Sequence, residues 1–150
     1  MSEFGAPSKW IWLPENSLPE EREAYVCVFR KAFELPLETL EKKTRCLLRI
    51  SADSRYKLYV NGSFAEAGPA KGDNHVRYYD LIDILPYLGP GKNCIGIEVL
   101  RYPALHGFGN HSLFRAETPG LYVEEVNKAS KEPVDQTWND LRPEIGRAHV

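Results

Sequence analysis

The chain has 150 residues, enough for one domain with a core of its own. Hydrophobic residues make up 43% and charged residues 27%, an ordinary globular composition that excludes disorder over the whole length. With 19 basic against 21 acidic residues the formal net charge is -2, which gives no electrostatic ground for nucleic acid or an anionic membrane as partner.

No stretch approaches the ~20 apolar residues that cross a bilayer. The opening Met1-Ser2-Glu3-Phe4-Gly5 has no basic region followed by an apolar run, so it does not read as a secretory signal, and a cytoplasmic location is expected. Cys27, Cys46 and Cys94 are far apart, each beside an apolar residue. They read as buried free thiols rather than a disulfide framework or a zinc site, which would need ligand-spaced partners. No cofactor and no metal are expected.

Residues 23–33 alternate: Tyr25, Cys27, Phe29 and Phe33 share one face, and Val26, Val28, Arg30 and Ala32 the other. This predicts a long strand, ended by Pro36. Residues 37–43 can make one helical turn but are too few for a stable isolated helix. Strands follow over 44–52, with Cys46, Leu48 and Ile50 in step, and over 55–60, where Tyr56, Leu58 and Val60 oppose Lys57 and Tyr59.

Asn61-Gly62 is the strongest local signal. A type I′ turn needs positive φ at both central positions, which Asn tolerates and Gly adopts freely, and its twist suits the strands it joins. A Gly/Pro loop over 68–73 comes next, then an apolar and aromatic run from Val76 to Ile84, and a short helical turn at Leu85-Pro86-Tyr87-Leu88. Residues 94–102 form another strand, in which Gly96 suggests close packing of another element. A long loop spans 103–119, a clear strand covers 121–126, and a shorter one is expected at 134–138. About eight short strands, turn signals between them and no long helix predict an all-β fold: a jelly-roll-like antiparallel β-sandwich.

The stretch from Ile50 through Asp53, Tyr56, Leu58 and Val60 to Asn61-Gly62 resembles the N-terminal sandwich domain of bacterial α-L-rhamnosidases and related glycoside hydrolases. The resemblance continues through Gly68-Pro69-Ala70-Lys71-Gly72-Asp73, Tyr78-Tyr79-Asp80, Ile82-Asp83-Ile84-Leu85-Pro86-Tyr87-Leu88 and Gly91-Lys92-Asn93. Trp10-Ile11-Trp12 and Phe29-Arg30-Lys31-Ala32-Phe33 also sit where such proteins carry a Trp-rich opening and a first core strand. A similar hairpin occurs in the sugar-binding sandwich domains of β-galactosidase-like enzymes, but the Gly-Pro-Ala-Lys-Gly-Asp and Tyr-Tyr-Asp segments favour the rhamnosidase group.

The resemblance implies a boundary set: an extension over 1–8, an accessory sandwich over 9–138 and a tail over 139–150. It also implies that catalysis, hydrolysis of α-L-rhamnosides with inversion, belongs to a downstream (α/α)6 barrel for which this chain has no counterpart. The chain then reads as a non-catalytic fragment of an enzyme, with the downstream catalytic domain as partner and rhamnose-containing glycans as ligands. The alternatives are an autonomous carbohydrate-binding module, the sugar-binding sandwich domain of a β-galactosidase-like hydrolase, and a purely structural domain with no ligand. The last seven residues, Glu144-Ile145-Gly146-Arg147-Ala148-His149-Val150, look like translated sequencing adapter and are set aside in the fold reading.

Glycoside hydrolysis needs two facing carboxylates. Asp53, Asp73, Asp80, Asp83 and Glu98 are the acids to weigh. Asp53, Asp80 and Asp83 sit where side chains cap turns, and Glu98 alternates outward between Ile97 and Val99, so no catalytic residue is assigned. Trp10, Trp12, Tyr78, Tyr79 and Tyr102 could stack on sugar rings, but core or interface packing is the expected role for most of them. The candidates for sugar contact are polar loop residues: Asp73, Asn74, His75, His106, Asn110 and His111. The spacing of His106, Asn110 and His111 is not a metal signature.

Overall fold

A computed structural model of the chain describes residues 10–14, 23–73, 75–104, 115–126, 133–135 and 142–147, the last two segments as backbone. Two antiparallel sheets face each other. The first is five-stranded, in the order β4 (Ser63–Gly68), β3 (Arg55–Val60), β6 (Gly91–Arg101), β1 (Tyr25–Leu35), β9 (Arg142–Arg147). The second is four-stranded, in the order β5 (Asp80–Asp83), β2 (Leu47–Asp53), β7 (Gly120–Val126), β8 (Pro133–Asp135). The fold is an all-β sandwich, as the alternation predicts.

The elements form where the pattern places them. β1 buries Tyr25, Cys27 and Phe29 and ends before Pro36, after which α1 (Leu37–Lys42) makes a single short helix. β1 and β6 pair over eleven positions, from Tyr25↔Arg101 to Leu35↔Gly91. Strict alternation on β6 sends Ile95, Ile97 and Val99 inward. These meet Leu48 and Ile50 of β2 and Leu121 and Val123 of β7 in one core, joined by Tyr56, Leu58 and Val60 of β3. Trp12 closes the core beside Tyr25 and Phe29, with ring centroids 6.3 and 5.6 Å away.

The β3–β4 hairpin turns at Asn61 (φ 50°) and Gly62 (φ 80°), both in the left-handed region that a type I′ turn requires. The Asn61 side chain also joins the turn to the rest of the sheet. Its amide donates to Tyr87 O at 2.9 Å and to Asn93 Oδ1 at 2.8 Å, and its carbonyl accepts the Cys94 N–H at 2.8 Å. The turn therefore fixes the β6 start and the 3₁₀ turn Leu85–Tyr87 as well as its own hairpin.

Several expectations need correction. Among the described residues no other element packs on Gly96, where a Cβ would meet open space; it lies on the outward face of β6 between Arg30 and Tyr59. Cys94 is half-exposed rather than buried, because it occupies an outward position of β6, next to the Arg30 Nε at 3.3 Å. Asp53 caps no turn, and its partners are described below. The backbone of Arg142–Arg147 pairs with Tyr25–Arg30 of β1, in a segment where the sequence shows no strand pattern. Edge pairing runs through main-chain groups, so side-chain alternation need not announce it.

Candidate functional site

One end of the sandwich gathers charge. β2 ends at Asp53 and β6 ends at Arg101, and both side chains are enclosed, each with 1% exposure. Two full charges in such a place require mutual pairing and further hydrogen bonds. Arg101 donates to Asp53 Oδ1 at 2.6 Å and to the carbonyls of Ala116 and Glu117 at 2.8 and 3.0 Å. Asp53 Oδ2 accepts Arg77 at 3.1 Å and the Ala116 N–H at 3.0 Å. Ser54 donates to Asp53 Oδ1 at 3.4 Å and accepts the Tyr102 N–H at 3.2 Å. Asp53 thus joins three segments: the β6 end, the 69–79 segment and the chain leading into β7.

Residues 77–79 lie against the outer face of the four-stranded sheet. Ser51 donates to the Tyr78 carbonyl at 2.7 Å, the Arg49 guanidinium lies 4.8 Å from the Tyr79 ring centre, and that of Arg77 lies 5.1 Å from Trp10. Beneath them Arg49 pairs with Glu124 at 3.0 Å, and the Tyr122 hydroxyl donates to the same carboxylate. Trp10, Tyr78 and Tyr79 remain about half-exposed. A small, open cleft lies between the end of β2 and the loop, lined by residues 51–54, 69–72, Arg77 and Tyr78. The Asp53-Ser54 and Gly68-Pro69 peptide bonds at this cleft are cis.

The loop has its own internal order. Asp73 Oδ1 accepts the N–H groups of His75 at 2.7 Å and Val76 at 2.8 Å, and the Asp73 N–H donates to Val76 O at 2.8 Å. These amides hold the exposed Asp73 carboxyl below its ordinary value. Gly72 is required by the close return of the chain: a Cβ there would collide with the Val76 carbonyl oxygen.

The residues weighed from the sequence therefore separate. Asp73 and His75 lie on this loop, with one Asp73 oxygen committed to the turn. Asn74, His106, Asn110 and His111 lie outside the described residues. Asp83 has the capping role expected of it, accepting Cys46 N–H at 3.0 Å and Leu85 N–H at 3.1 Å. Asp80 instead accepts the buried Tyr56 hydroxyl, and burial together with that carboxylate pushes the phenol upward. Glu98 faces outward between buried Ile97 and Val99. Trp12 packs on the core as expected, whereas Trp10, Tyr78 and Tyr79 stay accessible. Among the described residues no group of three His, Cys, Asp or Glu side chains could hold a metal ion.

The Asp53–Arg101–Arg77 cluster and the cleft are absent from the sequence reading. Arg77 and Arg101 look like ordinary surface charges in a strand-and-loop pattern. Only the approach of three segments distant in sequence brings them to Asp53.

Neither a protein-family model nor a curated protein matches the chain. Solved structures do. The GH78 family rhamnosidase of Bacillus sp. GL1 superposes with a TM-score of 0.66 at 26% identity, over 92% of this chain and 13% of that one. The α-L-rhamnosidase of Streptomyces avermitilis, solved in complex with L-rhamnose, gives 0.50 at 20% identity, over 94% and 12%. That of Dictyoglomus thermophilum gives 0.49 at 22%, over 81% and 12%. The chain thus spans about one eighth of the length of these enzymes, and what it resembles is a domain-sized part of the GH78 rhamnosidase of Bacillus sp. GL1.

Proposed function

We propose that this chain is a non-catalytic, N-terminal accessory sandwich of an α-L-rhamnosidase-like glycoside hydrolase, whose catalytic barrel is encoded elsewhere in the parent gene. The observation that carries this reading is the likeness to the Bacillus sp. GL1 rhamnosidase, which covers 92% of this chain but 13% of that enzyme. The sandwich would pack against the catalytic domain and support its substrate cleft. Contact with a rhamnose-containing glycan is assigned to the polar residues Asp73, Asn74, His75, His106, Asn110 and His111.

Among the described carboxylates, Asp53, Asp80 and Asp83 are each committed to structural partners, and no two face each other across the cleft. An inverting glycosidase needs two carboxyl groups about 6.5–9.5 Å apart on either side of a sugar.

The test is to obtain the parent locus, express its full reading frame beside this chain, and assay both on an aryl α-L-rhamnoside. The long chain should release the aglycone and the short one should not. A parent frame without a hydrolase domain, or turnover by this chain alone, would refute the reading.

A further inference from the structure

A type I′ turn accepts asparagine and aspartate alike at its first central position, because the demand there is a positive φ. The surroundings of Asn61 distinguish the two. Its Nδ2 donates to the Tyr87 carbonyl and to Asn93 Oδ1, while its Oδ1 accepts the Cys94 N–H. An aspartate keeps the last contact and lacks both donors. The Tyr87 carbonyl can only accept. Asn93 is buried and its orientation is fixed: its Nδ2 donates to the carbonyls of Gly89 and Gly91 at 2.8 and 3.1 Å, and its Oδ1 also accepts the Gly89 N–H at 3.0 Å. Turning that amide over to meet a carboxylate would break all three bonds. A carboxylate at position 61 therefore sets a negative oxygen against two acceptors and leaves polar groups unpaired.

The sequence supplies a route to that carboxylate. Position 61 is the one place in the chain where asparagine is followed by glycine. Both residues are exposed to water, and glycine has no side chain to crowd its nitrogen. In such a pair the glycine nitrogen attacks the asparagine Cγ. A new C–N bond forms, the Cγ–Nδ2 bond breaks, and ammonia leaves with the proton that the glycine nitrogen gives up through water. Water then opens the cyclic imide at one of its two carbonyls. The balance is one water in and one ammonia out, with no change of oxidation state. The product is aspartate, or an isoaspartyl linkage with an extra methylene in the main chain.

We infer that Asn61-Gly62 is a site of spontaneous deamidation restrained by the fold, and that the modification, once made, releases the hairpin from β6 and from the Leu85–Tyr87 turn. The restraint is the side chain's own set of contacts. Its Cγ reaches the Gly62 nitrogen only after the carboxamide leaves Tyr87, Asn93 and Cys94, so local opening precedes reaction. The isoaspartyl form also lengthens a two-residue loop that sets the pairing of Val60 with Ser63. The inference concerns this chain's own chemistry and stands apart from the accessory-domain reading.

The experiment incubates the 150-residue chain at mildly alkaline pH, in buffer and in denaturing urea. The tryptic fragment from Leu58 to Lys71 is followed by mass and by isoaspartate content. Conversion at Asn61 should be at least about tenfold slower in the folded chain, the scale of giving up local hydrogen bonds before reaction. The converted chain, separated by charge, and Asn61→Asp should each unfold at lower urea than the parent. Amide exchange at Asn61 and Cys94, which join the turn to β6, should accelerate about tenfold in both.

Equal rates in buffer and urea would overturn the inference by removing the restraint. An unmodified fragment after incubation in urea would overturn it by removing the site. A converted chain as stable as the parent would overturn it by removing the clash of acceptors. Fragment analysis of the unaltered chain decides the first two points even if Asn61→Asp fails to fold.

Discussion

The two sheets treat their outward faces differently. On the five-stranded sheet, outward positions such as Arg30, Lys57, Cys94 and Glu98 are exposed or half-exposed, and inward ones such as Cys27, Phe29, Leu58 and Ile97 are buried. On the four-stranded sheet both sides of β2 and β7 are covered. Ser51, Asp53, Tyr122 and Glu124 point away from the core and are still buried, beneath Trp10 and the 76–79 segment. The first sheet follows the rule of one dry and one wet face. The second adds a polar layer that depends on ion pairs and hydrogen bonds. Alternation alone therefore tells which residues face outward, not which of them meet water.

The largest test of this contrast is Asp53→Ala. It leaves Arg101 enclosed without its carboxylate, and we expect a loss of ~3–5 kcal/mol in urea denaturation. Glu98→Ala, outward on the other sheet, should stay within about 0.5 kcal/mol of the parent. Equal effects would erase the distinction between the faces.

Gly72→Ala should cost ~1–3 kcal/mol, because the loop that covers the four-stranded sheet has no room for a methyl group. Lost amide protection at His75 and Val76 would localise the damage.

Titration gives a further contrast. Burial pushes the Cys27 and Cys46 thiols from 9.0 up to about 12, with the Glu125 carboxylate adding to the effect at Cys46. The folded state therefore keeps protons that the unfolded chain releases near pH 9. This contribution is complete below about pH 9 and is lost as pH rises toward 12. Tyr56 acts in the same direction. The urea midpoint should fall between about pH 8 and 10.5, and less so in Cys27→Ala/Cys46→Ala. Under native conditions iodoacetamide should modify half-exposed Cys94 first. Equal labelling of all three cysteines would contradict the assigned burial.

The smallest effect should have the opposite sign. Gly96→Ala adds a Cβ in open space in mid-strand, so a gain of roughly 0.5–1 kcal/mol is expected from reduced backbone freedom in the unfolded chain. A loss would mean that another element does approach this face.

These contrasts explain what was legible in the sequence. β1, β3 and β6 show period-two patterns because one side of each is wet, and Asn61-Gly62 declares its turn through backbone chemistry alone. Asp83 was readable because its cap is local, two residues from Leu85. Asp53 was not, because its partners lie 24, 48 and 63 residues away and no local rule selects them. Gly96 misled for a related reason: a glycine in a strand marks close approach or nothing at all, and only the neighbouring space decides.

Those same separations bear on folding order. The Asp53 carboxylate can collect Arg77, Arg101 and the Ala116 amide only after β2, β6 and the approach to β7 have come together. Closing loops of that length is entropically costly and precedes any reward from the contacts. The cluster should accordingly form after the rate-limiting step. Asp53→Asn would then accelerate unfolding and leave the refolding limb of a denaturant chevron nearly unchanged. A charge cluster acquired so late would work as a brake on opening, keeping the cleft end of the sandwich shut once it has assembled.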